Sequence, residues 1–258
     1  MKEKLEELYG KHNHREFVGQ DPVGFLYDWP DLRDREIVAF VASSLAYGRV
    51  AQIHKSVSDV LKRMSPSPHA FLSSASEKTI QKAFRNFKHR FTTGEQLSCM
   101  LWGLKQILER HGSLQACFLS GLDHQKTVLG ALPRFTDELK GCAEERLCHL
   151  VACPERGSAC KRLHLFLRWM VRHDEIDPGG WSNISSSQLI VPVDVHMHRI
   201  CLHLGLTARR QANGRTALEI TEAFREMAPQ DPVKYDFVLT RLAIRDEAGL
   251  IGFLQEYE

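Results

Sequence analysis

Two short stretches of the sequence concentrate groups that can do chemistry. PVDVHMHRI, residues 192–200, holds one acid, two histidines and one arginine. GSACKRLHLFLRWMVR, residues 157–172, holds one lysine and three arginines and no acid. Pro192, Val193 and Val195 favour an extended approach, and Ile200, Leu202 and Leu204 begin a helical stripe. Asp194 therefore sits where an N-cap belongs, accepting backbone N–H bonds from the first turn. Whether it does more depends on what faces it.

The facing group is sought in residues 157–172. Ser158 can cap a helix whose positions Leu163, Phe166, Leu167 and Met170 form a buried stripe, while Lys161, Leu165, Arg168 and Arg172 recur on another face. From Gly157 to Arg215 there are eight Lys or Arg against four acids. A basic surface confined to one face of a nearly neutral protein suits nucleic acid, and an ordinary solvated helix face has the same composition. The order of parts favours the first reading. A turn containing Gly157 delivers Lys161 to a helix start, and a second turn, Asp177 to Trp181, precedes Asp194. A neutral lysine amine is a nucleophile toward the anomeric carbon of a nucleoside. A carboxylate beside it can take its proton and stabilise a cationic sugar. Turn N–H groups and basic side chains can grip the phosphates around a flipped nucleotide.

The composition bounds the class. With 43% hydrophobic and 26% charged residues over 258 positions, the chain reads as a globular protein, and a net charge of +2 means any nucleic-acid surface must come from clustering. The first residues, MKEKLEELYGKH, lack the apolar core of a signal peptide, no apolar run approaches the ~20 residues of a membrane span, and seven cysteines is an odd number. A cytoplasmic monomer with free thiols and no cofactor is expected. Cys142, Cys148, Cys153 and Cys160 cluster without the Cys-x-x-Cys spacing of zinc knuckles, so no metal site is expected. His196 and His198 point to different faces.

Helical signals run almost throughout. Asp21-Pro22 and Asp231-Pro232 place a cap before a proline, and Thr216 to Glu219 reads as a capping box. Asp34 opens a long periodic run broken only at Gly48, and Ser65 to Pro68 ends it. TIQKAFRNFKHRF puts Phe84, Phe87 and Phe91 on one helical stripe with Lys82, Arg85 and Lys88 away from it. Those spacings favour a core helix with a solvated back over a nucleic-acid surface. Gly112 closes the next helix after Arg110. The expected class is all-α.

VPVDVHMHRICLHLGL resembles the segment bearing the essential aspartate of the helix-hairpin-helix DNA glycosylases, a family that includes endonuclease III. DPVGFL followed by EIVAFVASSLAYGRVAQIHKSVSDVL is similar in layout to that family's first long helices, and ITEAFREMAPQDPVKYDFVLTRLAI to its closing pair. The hairpin here reads ERGSACKR, with one glycine, and the 33 residues from Lys161 to Asp194 are closest to the archaeal 8-oxoguanine glycosylase branch. KRLHLFLRWMVR and DPVKYDF also resemble a bacterial family of uncharacterised function.

The glycosylase resemblance implies two helical lobes with a cleft between them, a barrel lobe over about 30–172 carrying the hairpin and a second lobe from about 1–29 and 182–258. It implies base excision from double-stranded DNA, with an oxidised purine or abasic site as substrate and nucleoid association. Lys161 is then nucleophile or phosphate contact, and Asp194 the catalytic carboxylate. Gly157, Ser158, Arg162, Arg168, Arg172, His196, His198 and Arg199 would contact DNA. Tyr47, Arg49, Trp169 and Trp181 are candidates for the base pocket or wedge, with core packing and loop anchoring as their ordinary alternatives. A non-catalytic, structure-specific nucleic-acid binder on the same fold, and a helical interaction protein, remain as other classes.

Overall fold

The computed structural model describes residues 1–19, 21–122, 126–141, 150–245 and 247–255. Among them the protein is helical apart from one two-stranded hairpin. The helices are α1 (Lys2–His12), α2 (Leu32–Ser44), α3 (Val50–Arg63), α4 (Pro68–Ser74), α5 (Glu77–Phe84), α6 (Gly94–His111), α7 (Leu114–Leu119), α8 (Leu132–Lys140), α9 (Lys161–Val171), α10 (Val195–His203), α11 (Gly214–Met227), α12 (Asp236–Arg245) and α13 (Glu247–Gln255). Short 3-10 turns, one of them Pro22–Asp28, fill parts of the connections. No described helix is long and apolar enough to cross a membrane.

The chain divides into two compact units. One comprises Val18–Gln125 and Leu129–Cys153, the other Met1–Phe17, Lys126–Val128 and Pro154–Glu258. This division groups α9 with the two ends of the chain, where the sequence reading groups it with the middle.

In the middle unit α6 packs against α4, α5, α7 and α8. A Cβ on Gly103 would lie 2.0 Å from the carbonyl oxygen of Leu139, so α6 and α8 approach as closely as they do only with glycine there. Phe135 lies edge-on to Phe40 and Phe118, with centroids 5.9 and 5.6 Å apart. Buried Glu36 accepts the N–H groups of Leu114 and Gln115 at 2.8 and 3.2 Å, satisfying the open start of α7. The cap of α2 is Asp31, whose side chain accepts from Arg33 N, and not Asp34. Asp34 instead accepts from Ser67 Oγ and His69 N at the start of α4. The helical run breaks between α2 and α3, around Gly48.

The Phe84–Phe87–Phe91 stripe is not a helix. α5 ends at Phe84, and Lys88–His89 pairs antiparallel with Thr92–Thr93, so Phe91 sits on the connection with 74% exposure. The start of α6 lies close against the end of α5: a Cβ on Gly94 would meet the Phe84 carbonyl at 1.9 Å.

In the terminal unit α10 packs on α12, and α12 on α1 and α13. Tyr9 of α1 donates to Asp174 at 2.8 Å, and Glu6 accepts from Lys234 and from Tyr235. Two expected caps have other partners. α11 is capped by Asn213, which accepts from Thr216 N, while Glu219 binds Arg209. Asp231 is drawn to Arg172, and α12 starts only at Asp236.

Candidate functional site

Lys161 is the first residue of α9. The turn before it needs two left-handed residues, Gly157 at φ 76° and Cys160 at φ 45°, and Ser158 Oγ accepts from Cys160 N at 3.1 Å. Ser158 thus braces the turn instead of capping the helix. Asp194 is the N-cap of α10, accepting from His196 N and Met197 N, both at 2.9 Å. Its other oxygen lies 3.1 Å from Lys161 Nζ. The two side chains keep 31% and 20% exposure, so a ligand can reach both. Burial pushes the Asp194 carboxyl up, but Lys161 and the backbone N–H bonds outweigh it and hold it below the usual carboxylate range.

Two further ties build this face. Gly214 N donates to Gly157 O at 2.9 Å beside a bridge between Ser158 and Asn213, and the His198 ring is 2.7 Å from Arg209 O. The turn at 157–160, the start of α10 and the loop from 207 to 214 therefore form one surface. His198 is buried by that contact, His196 is half-buried, and Gly157, Ser158 and Arg199 are exposed. Arg162 is half-buried.

Arg168 and Arg172 do not lie on a solvated basic face. They are 2% and 4% exposed and enclosed by carboxylates. Arg168 binds Asp177 at 3.1 Å and also Asp236; Arg172 binds Asp177, Asp174 at 2.9 Å and Asp231 at 3.0 Å. Two guanidiniums so neutralised are a structural network and present nothing to a phosphate. The burial of Asp177 and Asp236 raises their carboxyls, Asp236 to about 6, against the pull of the arginines. Asp236 also feels Asp194 and Lys161, so the network lies behind the half-buried pair. Its signal in the sequence was an acid within the apolar KYDFVL.

The open cations are others. Arg199, Arg210 and Arg215 are exposed and make no ion pair among the described residues. Trp169 is 1% exposed and belongs to the core; Trp181, 5% exposed, packs edge-on to Phe166 with centroids 5.0 Å apart. Tyr47 and Arg49 fall in the middle unit, where Tyr47 OH donates to His89 O at 2.9 Å and Arg49 is exposed at the start of α3. Cys142 and Cys148 lie outside the described residues; Cys153 and Cys160 are free thiols.

Among the described residues the protein is mainly helical, with a lysine and an aspartate paired at two helix starts. Over residues 21–245 it matches the family described as Protein of unknown function (DUF2400), and the chain belongs to that family. No curated protein and no solved structure matches it.

Proposed function

We propose that the protein is a DNA glycosylase with AP lyase activity, acting on a damaged base of the oxidised-purine class through a lysine Schiff base. The observation that carries this reading is the Lys161–Asp194 pair, 3.1 Å apart at two helix starts and open to solvent. The turn from Gly157 to Cys160 is the counterpart of the glycosylase family's hairpin. Exposed Arg199, Arg210 and Arg215 would hold the phosphates around a flipped nucleotide.

After Lys161 gives up a proton to solvent water, its lone pair forms a bond to C1′ as the bond from C1′ to the base breaks. The base leaves with that electron pair and takes up a proton. Opening of the sugar ring gives the imine, and loss of a proton from C2′ expels the 3′ phosphate and nicks the strand. Asp194, held below the usual carboxylate range, suits stabilisation of the cationic sugar better than storage of a proton.

The same ion pair supports a second reading. A lysine held as an ammonium against a carboxylate is a phosphate contact, and the protein would then bind damaged duplex without reaction. Borohydride trapping on duplexes carrying abasic sites, 8-oxoguanine, uracil or oxidised pyrimidines separates the two. A covalent adduct lost on Lys161→Gln supports the enzyme. Binding to abasic duplex with no adduct on any substrate supports the binder.

A further inference from the structure

We propose that the tip of the β1–β2 hairpin (Lys88–His89 and Thr92–Thr93) is a stacking site for an unpaired nucleic-acid base, with Phe91 as its platform and Arg85, Lys88 and Arg90 as contacts to the adjoining phosphates. The proposal rests on the nucleic-acid reading above for its class of partner, and on no chemistry at Lys161.

The hairpin is fixed below its tip and bare at it. His89 and Thr92 are fully buried. The His89 ring lies 2.8 Å from Ser56 Oγ and 3.1 Å from the Tyr47 carbonyl, and the Tyr47 ring stands edge-on to it with centroids 4.6 Å apart. Tyr47 OH donates to His89 O and lies 2.6 Å from Thr92 Oγ1. Tyr47, a wedge candidate by sequence, is therefore the anchor of the hairpin. Between the two buried residues, Arg90 adopts φ 51°, a conformation that favours glycine, and Phe91 projects with 74% exposure. It is the only aromatic among the exposed large hydrophobic residues described, and the most exposed of them.

Charge selects the partner. From residue 82 to 96 there are four Lys or Arg against one acid, Glu95. Arg85, Lys88 and Arg90 are exposed, and no acid pairs with them among the described residues. The Arg90 guanidinium stands 5.5 Å from the Phe91 centroid, leaving the rest of the ring open. An aromatic face among cations that pair with no acid among the described residues matches a strand of phosphates carrying an unstacked base, since every base has a π-face.

The test uses the full chain and a single-stranded oligonucleotide carrying 2-aminopurine, whose emission falls on stacking. Wild type should quench it and bind with a salt dependence that the Lys88→Ala, Arg90→Ala double variant reduces by roughly 1.4 in slope, about 0.7 for each phosphate contact. Phe91→Ala should weaken binding by roughly five- to 150-fold and abolish the quench. Phe91→Trp should restore both, and Phe91→Leu should restore neither. The ring is outside the core, so an unchanged circular dichroism spectrum is expected for each variant. Unaltered affinity and quench in Phe91→Ala, or full rescue by Leu, would overturn the proposal. Lys161→Gln should leave the quench intact. A quench without any borohydride-trapped product rejects the glycosylase reading alone, whereas a trapped product with Phe91→Ala unimpaired rejects the stacking site alone.

Discussion

Asp194 meets Lys161 with one carboxylate oxygen and caps α10 with the other. Oδ1 accepts from His196 N and Met197 N, and Oδ2 lies 3.1 Å from Lys161 Nζ. Capping and charge pairing are thus carried by different atoms of one side chain and can be separated by substitution.

Asp194→Asn keeps an oxygen for the two backbone N–H groups and places an amide toward the lysine. Because Asn caps about as well as Asp, the thermal midpoint should change little and duplex affinity should persist. The neutral amide cannot stabilise a cationic sugar, so single-turnover base excision should fall by at least ~10². Wild-type excision by this variant would reduce Asp194 to a cap.

Lys161→Gln should abolish borohydride trapping while abasic-duplex affinity stays within about threefold, since it removes one contact of several. Lys161→Arg keeps the positive charge without a usable nucleophile. Wild-type binding with no trapping in Lys161→Arg fits the enzyme; recovery of every measurable property by Arg would make Lys161 a phosphate contact.

The sequence made the helical class and the paired site legible for definite reasons. Asp194 sits at a change from β-branched to helical pattern, and Gly157 with Lys161 marks a turn into a helix; both signals are local. The fate of Arg168 and Arg172 was not legible, because their partners Asp177, Asp231 and Asp236 lie 5 to 68 residues away and helical spacing cannot show what packs on a face. The Phe84–Phe91 stripe misled for a related reason. Its spacing of three and four suits a helix, but the chain leaves α5 at Phe84 for a hairpin whose pairing local spacing cannot show, and Phe91 stays outside. Likewise Asp34 and Asp231 are good local caps that a longer-range partner claims.

Asp236 makes the stability of the protein depend on pH in a stated direction. Burial raises its carboxyl to about 6, so the folded state holds a proton that the unfolded state releases near 4. Its contribution is complete below the unfolded value and is lost as pH rises through about 6. Relative to Asp236→Asn, wild type should therefore lose stability between pH 4 and 7. Urea unfolding of both proteins across that range checks this. A wild-type advantage that grows with pH would mean that the pull of Arg168 outweighs burial.

Buried and exposed arginines of the same basic segment should fail in different ways. Arg168→Ala leaves Asp177 and Asp236 buried without their shared partner, which should cost about 3–5 kcal/mol of stability. Any DNA-binding defect should then follow the loss of folded protein, with the salt dependence of the remainder unchanged. Arg210 and Arg215 are exposed and carry no ion pair among the described residues, so replacing them should leave the unfolding midpoint alone. If each contacts a duplex phosphate, Arg210→Ala and Arg215→Ala should each flatten the slope of log affinity against log salt by about 0.9, and the double variant by about 1.8. Affinity should fall equally for damaged and undamaged duplex, because phosphate contacts carry no base information. A flattened slope in Arg168→Ala with wild-type stability would return the DNA surface to that residue, and an unchanged slope in the double variant would place it away from the loop at 207–214.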